Sequence, residues 1–392
     1  MTYTFSNKIA SLAPSAIREI LKATSQPGII PFAAGNPAPE AFPIEAVREI
    51  SRRLLLERPV DCLQYGVTEG YAPLRARVKD DLRARLGLGK PFDELIITSG
   101  AQQAVDLATK ILCNEGDVVI AESPSFIGSL NTFRSYGVRL RGVPMQADGM
   151  DVDRLEAILK SERQVRFLYT IPNFQNPAGV TMSLEKRRRV YELARQYGTL
   201  ILEDNPYGDL IYEGEALPCI KSFDDDGIVI YAGSFSKILS PGLRVGYTLA
   251  PSELIAKMTV GKQASDVHTT IFSQLIVDEW MRHYDIPAHL QYLRALYKAK
   301  RDRMCGGLAE TPLQFQIPAG GLFLWCALPD EIEMLAFARA AVARKVAVVP
   351  GSAFLVEPAE TVNAVRLNFS TPTDDQLSEG VAILRDMFAE KY

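Results

Sequence analysis

The sequence predicts an α/β protein with a second, smaller α+β unit at its C-terminal end. From about residue 94 to residue 250, short runs rich in branched residues alternate with stretches whose apolar positions recur every three or four residues. This alternation is typical of a mostly parallel sheet that is covered by helices on both faces. After residue 250 the pattern changes to long helices, then to short strands and a final helix, which indicates the smaller unit.

The predicted elements follow in chain order. Near the start, PSAIREILKAT predicts a short amphipathic helix, and GIIPFAAGNPAPEAFP, rich in Pro, Gly and small residues, predicts an ordered connector. The strands predicted for the sheet are ELIIT, DVVIAE, RFLYTIP, TLILED, GIVIYAG and VGYTLA. Helices are predicted at GAQQAVDLATKILC, SLEKRRRVYELARQYG, TTIFSQLIVDEWMRH and LQYLRALYKAKRDRM. The short strands FLWCAL, VAVVP and AVRLNFS complete the smaller unit.

Length and composition exclude several classes of function. The 392 residues suffice for two or three units with a sizeable core. Basic and acidic residues number 43 and 47 and are mixed along the chain, unlike the basic footprint of a nucleic-acid binder. The start MTYTFSNKIA does not read as a secretory signal, and no apolar run is long enough for a membrane span, so a cytosolic protein is expected.

Cysteine and histidine usage argues against disulfides and metals. The cysteines are five in number, widely spaced and without a CxxC pair, which disfavours both a disulfide framework and a zinc cluster. The three histidines show no metal-ligand spacing. We therefore expect buried thiols and no metal site.

Polar residues follow several of the predicted strands, where α/β folds bind ligands. After ELIIT, Ser99 and Gly100 precede a helix whose backbone N–H groups would face an anion such as phosphate, although both are also ordinary cap residues. Asn176 in NFQNPAG is a candidate ligand residue or a turn former. Asp204 and Tyr207, after LILED, place an acid and an aromatic hydroxyl at a strand end.

Two basic residues stand in apolar surroundings. Lys237 lies in GSFSKILSPGLRVGY, where a desolvated amine beside another cation, such as Arg244, loses its proton more easily and becomes a nucleophile towards an aldehyde. The alternative is an exposed loop lysine. Arg244 also suits a phosphate. Arg366 in AVRLNFS lies within an apolar strand, where a guanidinium needs an anionic partner.

From PSAIRE to RLNFS the chain resembles the pyridoxal-phosphate-dependent aminotransferases of fold type I, most closely the group with 2-aminoadipate and kynurenine aminotransferases. The motifs that carry the resemblance are LQYGVTEGYAPLR, SGAQQAVDL, NFQNPAG, EDNPYGDL and the highly specific GSFSKILSPGLRVGY. The resemblance implies a mostly parallel seven-stranded sheet covered by helices, plus a smaller α+β domain. The expected division is an N-terminal helix and connector (1–45), a large cofactor-binding domain (46–285) and a small domain (286–392).

The resemblance also implies roles for the residues at the ring of the cofactor. Lys237 would carry pyridoxal phosphate covalently and, once displaced by the substrate amine, would act as the base that moves a proton between Cα and the cofactor's C4′. Asp204 would pair with the pyridine nitrogen and keep it protonated. Asn176 and Tyr207 would hydrogen-bond the phenolic oxygen, and Phe126 in ESPSFIG would stack on the ring.

The same resemblance implies a binding site for the cofactor's phosphate and a second subunit. The phosphate would be held by a turn, two hydroxyls and a guanidinium, drawn from Ser99, Gly100, Ala101, Gln102, Ser234, Ser236 and Arg244. Tyr65 in LQYGVTEGY would reach the phosphate of a neighbouring subunit, which implies a homodimer with shared active sites.

Arg366 sets the expected reaction type, because the matching arginine in these enzymes grips the substrate α-carboxylate by two parallel hydrogen bonds. This geometry aligns the Cα–H bond with the ring and favours proton loss over decarboxylation. Asn176 and a backbone contact from Gly35 would complete this part of the substrate site. Arg18 on the early helix, with Ser15 nearby, would bind a distal carboxylate, or Arg18 is simply a solvated helix arginine.

The expected function is a cytosolic, homodimeric aminotransferase that moves the amino group of a 2-amino acid to 2-oxoglutarate in a ping-pong cycle. Its donor would be 2-aminoadipate, an aromatic amino acid or a large aliphatic one. One alternative is another enzyme on the same fold, such as a C–S lyase or an acyl-CoA-using synthase. The other is an aminotransferase-like ligand sensor behind a winged-helix unit, which we disfavour because fewer than about twenty residues precede the family match, too few for a domain.

Overall fold

The structure is a computed structural model that describes residues 3–10 and 28–390. The strands of its main sheet are β1 (Asp93–Thr98), β2 (Val118–Ser123), β3 (Arg139–Gln146), β4 (Gly149–Met150), β5 (Val165–Thr170), β6 (Leu200–Asn205), β7 (Val229–Ser234) and β8 (Gly246–Pro251). Within the described residues these eight strands lie in the order β1-β8-β7-β6-β5-β2-β3-β4.

Most of the main sheet is parallel. Strands β7, β6, β5, β2 and β3 pair in parallel, and β8 runs antiparallel to both of its neighbours, β1 and β7. Every residue of β2 is buried, as is every residue of β5 from Phe167 to Thr170. Such continuous apolar runs are expected where helices cover both faces of a sheet. The predicted α/β fold with a mostly parallel sheet is confirmed.

The helices of the described chain are α1 (Asn7–Ala10), α2 (Ile44–Glu57), α3 (Pro59–Leu63), α4 (Ala72–Leu86), α5 (Ala101–Leu112), α6 (Ile127–Ser135), α7 (Val152–Ser161), α8 (Leu184–Tyr197), α9 (Ser252–Gln263), α10 (Ile271–His283), α11 (Ile286–Leu308), α12 (Met334–Ala343) and α13 (Asp374–Ala389). Helices α5, α8, α10 and α11 confirm the four helices predicted after residue 98. None of the helices in residues 3–10 and 28–390 combines the length and apolar character that a membrane span needs.

The C-terminal part of the chain forms the smaller α+β unit. Strands β9 (Phe323–Ala327), β10 (Val349–Pro350) and β11 (Ala364–Asn368) make an antiparallel sheet in the order β10-β11-β9. Helices α11 and α13 pack against each other beside it. The smaller unit is therefore confirmed, while the boundaries proposed after residues 45 and 285 stay a prediction.

The structure departs from the sequence prediction in two places. None of the strands named from the sequence corresponds to β3, because RLRGVPMQ carries two arginines, a glycine and a proline and its residues alternate irregularly between buried and exposed. The two-residue strand β4 adds an eighth strand to the expected seven by pairing back on β3. The predicted helix PSAIREILKAT lies outside the described residues. From residue 28 onwards, the predicted connector has only one turn of 3-10 helix, Pro39–Ala41.

A buried lysine ties the loop between β6 and β7 to the start of β1. The Lys221 ammonium donates to Asp93 at 2.8 Å, to Asp224 at 2.7 Å and to the carbonyl of Val229 at 2.9 Å. The side chains of Lys221, Asp93 and Asp224 are all fully buried. Removing the cation would leave two carboxylates buried without a counter-charge.

We expect Lys221→Met to lower the free energy of unfolding by about 3–5 kcal/mol, the usual cost of breaking a buried ion pair from one side. Urea denaturation would measure it. The matched control is Lys90→Met, since Lys90 pairs with Asp225 at 2.6 Å on the surface and water replaces that contact. Equal midpoints for the two variants would contradict the prediction.

Candidate active site

A cavity of about 510 Å³ opens at the carboxyl ends of β5, β6 and β7. This is the edge of a parallel sheet where α/β proteins bind ligands. Its walls come from the large sheet, from the connector around Gly35 and from the small sheet through Arg366. The predicted site residues that line it are Gly35, Ala101, Gln102, Phe126, Asn176, Asp204, Tyr207, Ser234, Ser236, Lys237, Arg244 and Arg366.

Lys237 follows strand β7 and enters the cavity from the sheet side. Its Nζ donates to the carbonyl oxygen of Gly35 at 2.7 Å and lies 5.9 Å from the centre of the Tyr207 ring. Burial, together with the positive charges of Arg366 and Arg244, lowers the pKa of Lys237 to about 8. The neutral, nucleophilic amine is therefore far more populated near neutral pH than for an ordinary lysine.

Asp204 lies in strand β6 with its carboxylate inside the protein. Its Oδ2 accepts a hydrogen bond from the Tyr169 hydroxyl at 2.8 Å, and its Oδ1 is buried with no hydrogen-bond partner in the described structure. Burial raises the pKa of Asp204 to about 6, and the hydrogen bond from Tyr169 opposes this rise. An unpaired carboxylate oxygen at a cavity wall is a ready acceptor for a ligand N–H group.

Arg366 enters the same cavity from strand β11. Its Nη1 donates to Oδ1 of Asn176 at 3.0 Å, and its Nη2 donates to the carbonyls of Ala33 and Ala34 at 2.9 and 3.1 Å. Its Nε is buried without a partner, and the described residues supply no carboxylate to pair with it. Burial lowers the pKa of Arg366 to about 10. The guanidinium is thus oriented and lacks an anion.

Two aromatic rings hold the guanidinium of Arg366 in place. Its Cζ lies 4.3 Å from the ring centre of Phe323 and 5.1 Å from that of Phe354. Cation–π contacts of this kind fix the plane of the guanidinium without neutralising its charge. The site can therefore receive a carboxylate in one orientation.

Asn176 and Tyr207 lie beside each other between the lysine and the arginine. Tyr207 is buried, which raises the pKa of its hydroxyl, and hydrogen bonding to Asn176 and the charge of Arg366 oppose the rise. The phenol therefore stays protonated at neutral pH and is able to donate a hydrogen bond into the cavity.

An anion-binding corner lies at the start of helix α5. The guanidinium of Arg244 donates to the carbonyl of Ser99 at 2.9 Å, and the hydroxyls of Ser234 and Ser236 lie 2.9 Å apart. Gly100 has φ +80°, and a Cβ there would overlap the Arg244 guanidinium. No side chain caps the first turn of α5, so the N–H groups of Ala101 and Gln102 can meet an anion, whereas that of Gln103 donates to the carbonyl of Gly100 at 3.1 Å.

The remaining predicted residues take other positions. The Ser99 hydroxyl donates to Asp266 at 2.8 Å, and Ser99 does not line the cavity. Gln102 lines the cavity, but its amide donates to Thr132 at 2.8 Å. Tyr65 is 81% exposed and lies away from the cavity wall. Arg18 and Ser15 lie outside the described residues.

Sequence reasoning missed the residues that hold the predicted groups in place. These are Tyr169 behind Asp204, and Phe323 and Phe354 beside Arg366. Tyr169 has one sequence signal, since a tyrosine near the end of a buried strand needs a partner for its hydroxyl. Phe323 and Phe354 read as ordinary core residues.

The chain matches a known family over most of its length. Residues 27–384 match the family model of aminotransferase class I and II. An aromatic-amino-acid aminotransferase of Thermococcus litoralis is 39% identical over 394 residues, covering 99% of this chain and 94% of that protein.

Solved structures give the same result. The chain is similar to a kynurenine aminotransferase of Pyrococcus horikoshii in complex with PMP, KYN and KYA, with a TM-score of 0.94 and 37% identity over 99% of this chain and 97% of that chain. It is also similar to an alpha-aminoadipate aminotransferase of Thermus thermophilus complexed with N-(5'-phosphopyridoxyl)-L-leucine, with a TM-score of 0.91 and 38% identity over 98% of this chain and 97% of that chain. The chain therefore belongs to the aminotransferases of class I and II, which confirms the resemblance and, with it, the predicted pyridoxal-phosphate-dependent aminotransferase activity.

Proposed function

We propose that this aminotransferase carries pyridoxal phosphate on Lys237 and transfers the amino group of a 2-amino acid to 2-oxoglutarate by a ping-pong mechanism. One observation carries the proposal. The Lys237 amine, Asp204 with an unpartnered oxygen and Arg366 with an unpartnered nitrogen converge on a single cavity. Each is the complement of one group of the cofactor or substrate.

The described residues fit each polar group of pyridoxal phosphate. Oδ1 of Asp204 is free to accept from the ring nitrogen, and Asn176 and Tyr207 can meet the phenolic oxygen. The phosphate fits the corner at the start of α5, where a guanidinium, hydroxyls and free N–H groups converge. Phe126 lines the wall at which the ring would stack.

The chain's own residues would divide the chemistry as follows. When bound, pyridoxal phosphate supplies the electron sink for the negative charge left at the substrate α-carbon. Asp204 would accept from the ring nitrogen through its unpartnered Oδ1 and so favour the protonated ring. The Lys237 amine would hold the aldehyde carbon of the cofactor and, when free, would act as the base for the proton at the substrate α-carbon. Its pKa of about 8 suits this acid–base work near neutral pH.

The substrate α-carboxylate would pair with Arg366, whose bound neighbours Asn176 and the connector carbonyls fix its orientation. This sets the Cα–H bond towards Lys237.

We propose 2-aminoadipate, aromatic and large aliphatic amino acids as donors. The similar proteins named above include an aromatic-amino-acid, a kynurenine and an alpha-aminoadipate aminotransferase. Apolar side chains also face the cavity of this chain, and these are Val105, Ile127, Ile171 and Phe323. An acidic donor needs a further cation, for which we propose Arg18, and we propose Ser15 as a second contact.

A half-reaction screen of single amino acids tests the function and the donor together. We expect each good donor to convert the loaded enzyme from the absorbance of its pyridoxal form to that of its pyridoxamine form. A ligand sensor would not make this conversion, and a C–S lyase would release its product without it. Either result would overturn the aminotransferase proposal.

We expect Arg18→Ala to slow the half-reaction with 2-aminoadipate by about 10-fold or more, because a distal carboxylate would lose a charged hydrogen bond of about 1.5–3 kcal/mol. Leucine and phenylalanine serve as internal controls, since they have no distal charge. Equal losses for aminoadipate and leucine would show that Arg18 does not read the distal carboxylate.

We further propose a cytoplasmic homodimer with shared active sites. Apolar side chains are exposed along residues 55–67, including Leu63 at 79% and Tyr65 at 81%. A concentration of exposed apolar side chains of this kind supports an interaction surface. Tyr65 packs edge-on against His268, with ring centres 5.8 Å apart, and so projects from this surface in a defined position. Five free cysteines suit a reducing compartment.

Complementation between two inactive variants tests the shared site. In a mixed dimer of Lys237→Ala and Tyr65→Ala chains, one site would carry both defects and the other site neither. We expect the mixture to regain activity that neither variant has alone, and light scattering to give twice the mass of one chain. A mixture no more active than its components would place Tyr65 outside the partner's site.

A further inference from the structure

A row of three buried side chains reaches the active site from behind Asp204. Ser129 in α6 donates its hydroxyl to the oxygen of Tyr169 at 2.9 Å, and Tyr169 in β5 donates to Oδ2 of Asp204 at 2.8 Å. We infer that Tyr169 is a positioning residue, held by Ser129, that turns the free Oδ1 of Asp204 towards the pyridine nitrogen. This inference rests on the proposed function, because that function assigns Asp204 to the ring nitrogen.

The direction of these hydrogen bonds follows from the donors available. An ionised carboxylate has no hydrogen to donate, so Tyr169 must donate its only hydroxyl hydrogen to Asp204. Its oxygen is then left as an acceptor, and Ser129 fills that role. Both hydroxyls are completely buried, so water does not compete with either bond. The row is polarised towards the carboxylate, where a charge-assisted bond is about twice as strong as a neutral one.

Packing also fixes the position of the Tyr169 ring. The Tyr169 ring lies edge-on to Phe133, with ring centres 5.4 Å apart and planes at 70°. Tyr169 and Asp204 lie on adjacent parallel strands, in which Tyr169 is opposite Leu202. Side chains two residues apart on a strand share a face, so this register brings Tyr169 and Asp204 to the same side of the sheet.

The Tyr169 hydroxyl is important for stabilising the charge of the Asp204 carboxylate. No described cation forms an ion pair with Asp204, and Tyr169 is its only hydrogen-bond donor among the described residues. The other titratable groups whose charge couples to Asp204 are Glu122 on β2 and Tyr207 after β6. Glu122 already accepts from the hydroxyl of Thr170 and from Gln175 and is not a donor to Asp204. Losing the Tyr169 hydroxyl would raise the pKa of Asp204, which favours its protonated form.

The test compares the affinity of the cofactor-free enzyme for pyridoxal phosphate with that for its 1-deaza analogue, which lacks the ring nitrogen. We expect Tyr169→Phe to weaken the binding of pyridoxal phosphate by about 10-fold, the effect of one lost hydrogen bond to a charged group. The binding of the analogue should weaken by less than about twofold. Ser129→Ala should weaken the binding of pyridoxal phosphate by a smaller factor than Tyr169→Phe does. The matched control is Tyr136→Phe, which removes a hydroxyl bonded to Asp106 at 2.9 Å, away from the cavity.

The pH dependence of binding gives a second readout. In the wild type, affinity for pyridoxal phosphate should fall as the pH drops through about 6, where Asp204 takes up a proton. In Tyr169→Phe this fall should begin at a higher pH. If Tyr169→Phe bound both ligands more weakly by the same factor, or bound both as tightly as the wild type, the proposed role of Tyr169 would be wrong. A wild-type enzyme that binds both ligands equally would overturn the assignment of Asp204 to the ring nitrogen as well.

Discussion

Replacing Lys237 by alanine is expected to lower the turnover of every amino donor by about 10⁴-fold, the upper range for loss of a positioned acid–base group. The amine stands at the carboxyl end of β7, where its Nζ donates to the carbonyl oxygen of Gly35 at 2.7 Å and faces the cavity. The loss should be the same for apolar and acidic donors, because proton transfer at the α-carbon is common to all. Single-turnover absorbance measurements would give the rate.

The control is Lys257→Ala, since Lys257 is exposed on helix α9 and lies outside the cavity. It should behave as the wild type. Borohydride reduction of the loaded wild-type enzyme, followed by digestion, should label the peptide that contains Lys237 and no other. A label on another lysine, or a Lys237→Ala enzyme that keeps a tenth of wild-type turnover, would refute the assignment.

The pH dependence of cofactor capture provides an independent check on the same lysine. Only the neutral amine attacks the aldehyde, and a pKa of about 8 leaves about a tenth of Lys237 neutral at pH 7. The capture rate should therefore rise with pH and level off above about pH 8. Arg366→Gln removes a nearby positive charge that lowers the pKa, so the plateau should move to higher pH. A rate that rises steadily to pH 10 in the wild type would mean an unperturbed lysine.

The elements that carry the catalytic groups are predictable from the sequence because their patterns are local. Strand β6 begins with the apolar run Leu200–Leu202, which predicts a buried strand, and Asp204 follows two residues after that run. Helix α5 has regular apolar spacing and a preceding Gly100. Because parallel strands end at one edge of the sheet, residues that follow different strands were expected to meet, and Lys237 and Asn176 do meet there.

The contacts that support these groups depend on strand register, which one sequence does not fix. Tyr169 reaches Asp204 only because β5 and β6 pair with Tyr169 opposite Leu202, and a shift by one residue would turn the tyrosine to the other face. The rings beside Arg366 come from Phe323 and Phe354, which are distant in sequence and meet the arginine through the fold of the small unit. Neither arrangement has a local sequence signal.

Arg366→Gln is expected to lower kcat/KM about 10³-fold, and Arg366→Lys about 10²-fold, in both half-reactions. Amino donor and oxo-acid acceptor each carry the α-carboxylate, and leaving a desolvated charge unpaired costs about 2–5 kcal/mol. Lysine restores the charge but not the planar fork that Phe323 and Phe354 hold in place. The loss in Arg366→Lys should therefore be smaller than in Arg366→Gln, yet still large.

A simple amine without the α-carboxylate separates recognition from damage to the fold. Arg366 also donates to the carbonyls of Ala33 and Ala34, so its replacement could loosen the connector that carries the Gly35 contact to Lys237. If Arg366 acts by binding the carboxylate, the variants should process the amine at nearly the wild-type rate while losing amino acids. If the connector has moved, the rates with the amine and with amino acids should fall by the same factor, because Lys237 itself would be misplaced. The ratio of the two losses thus measures how much of the arginine's effect passes through the substrate carboxylate.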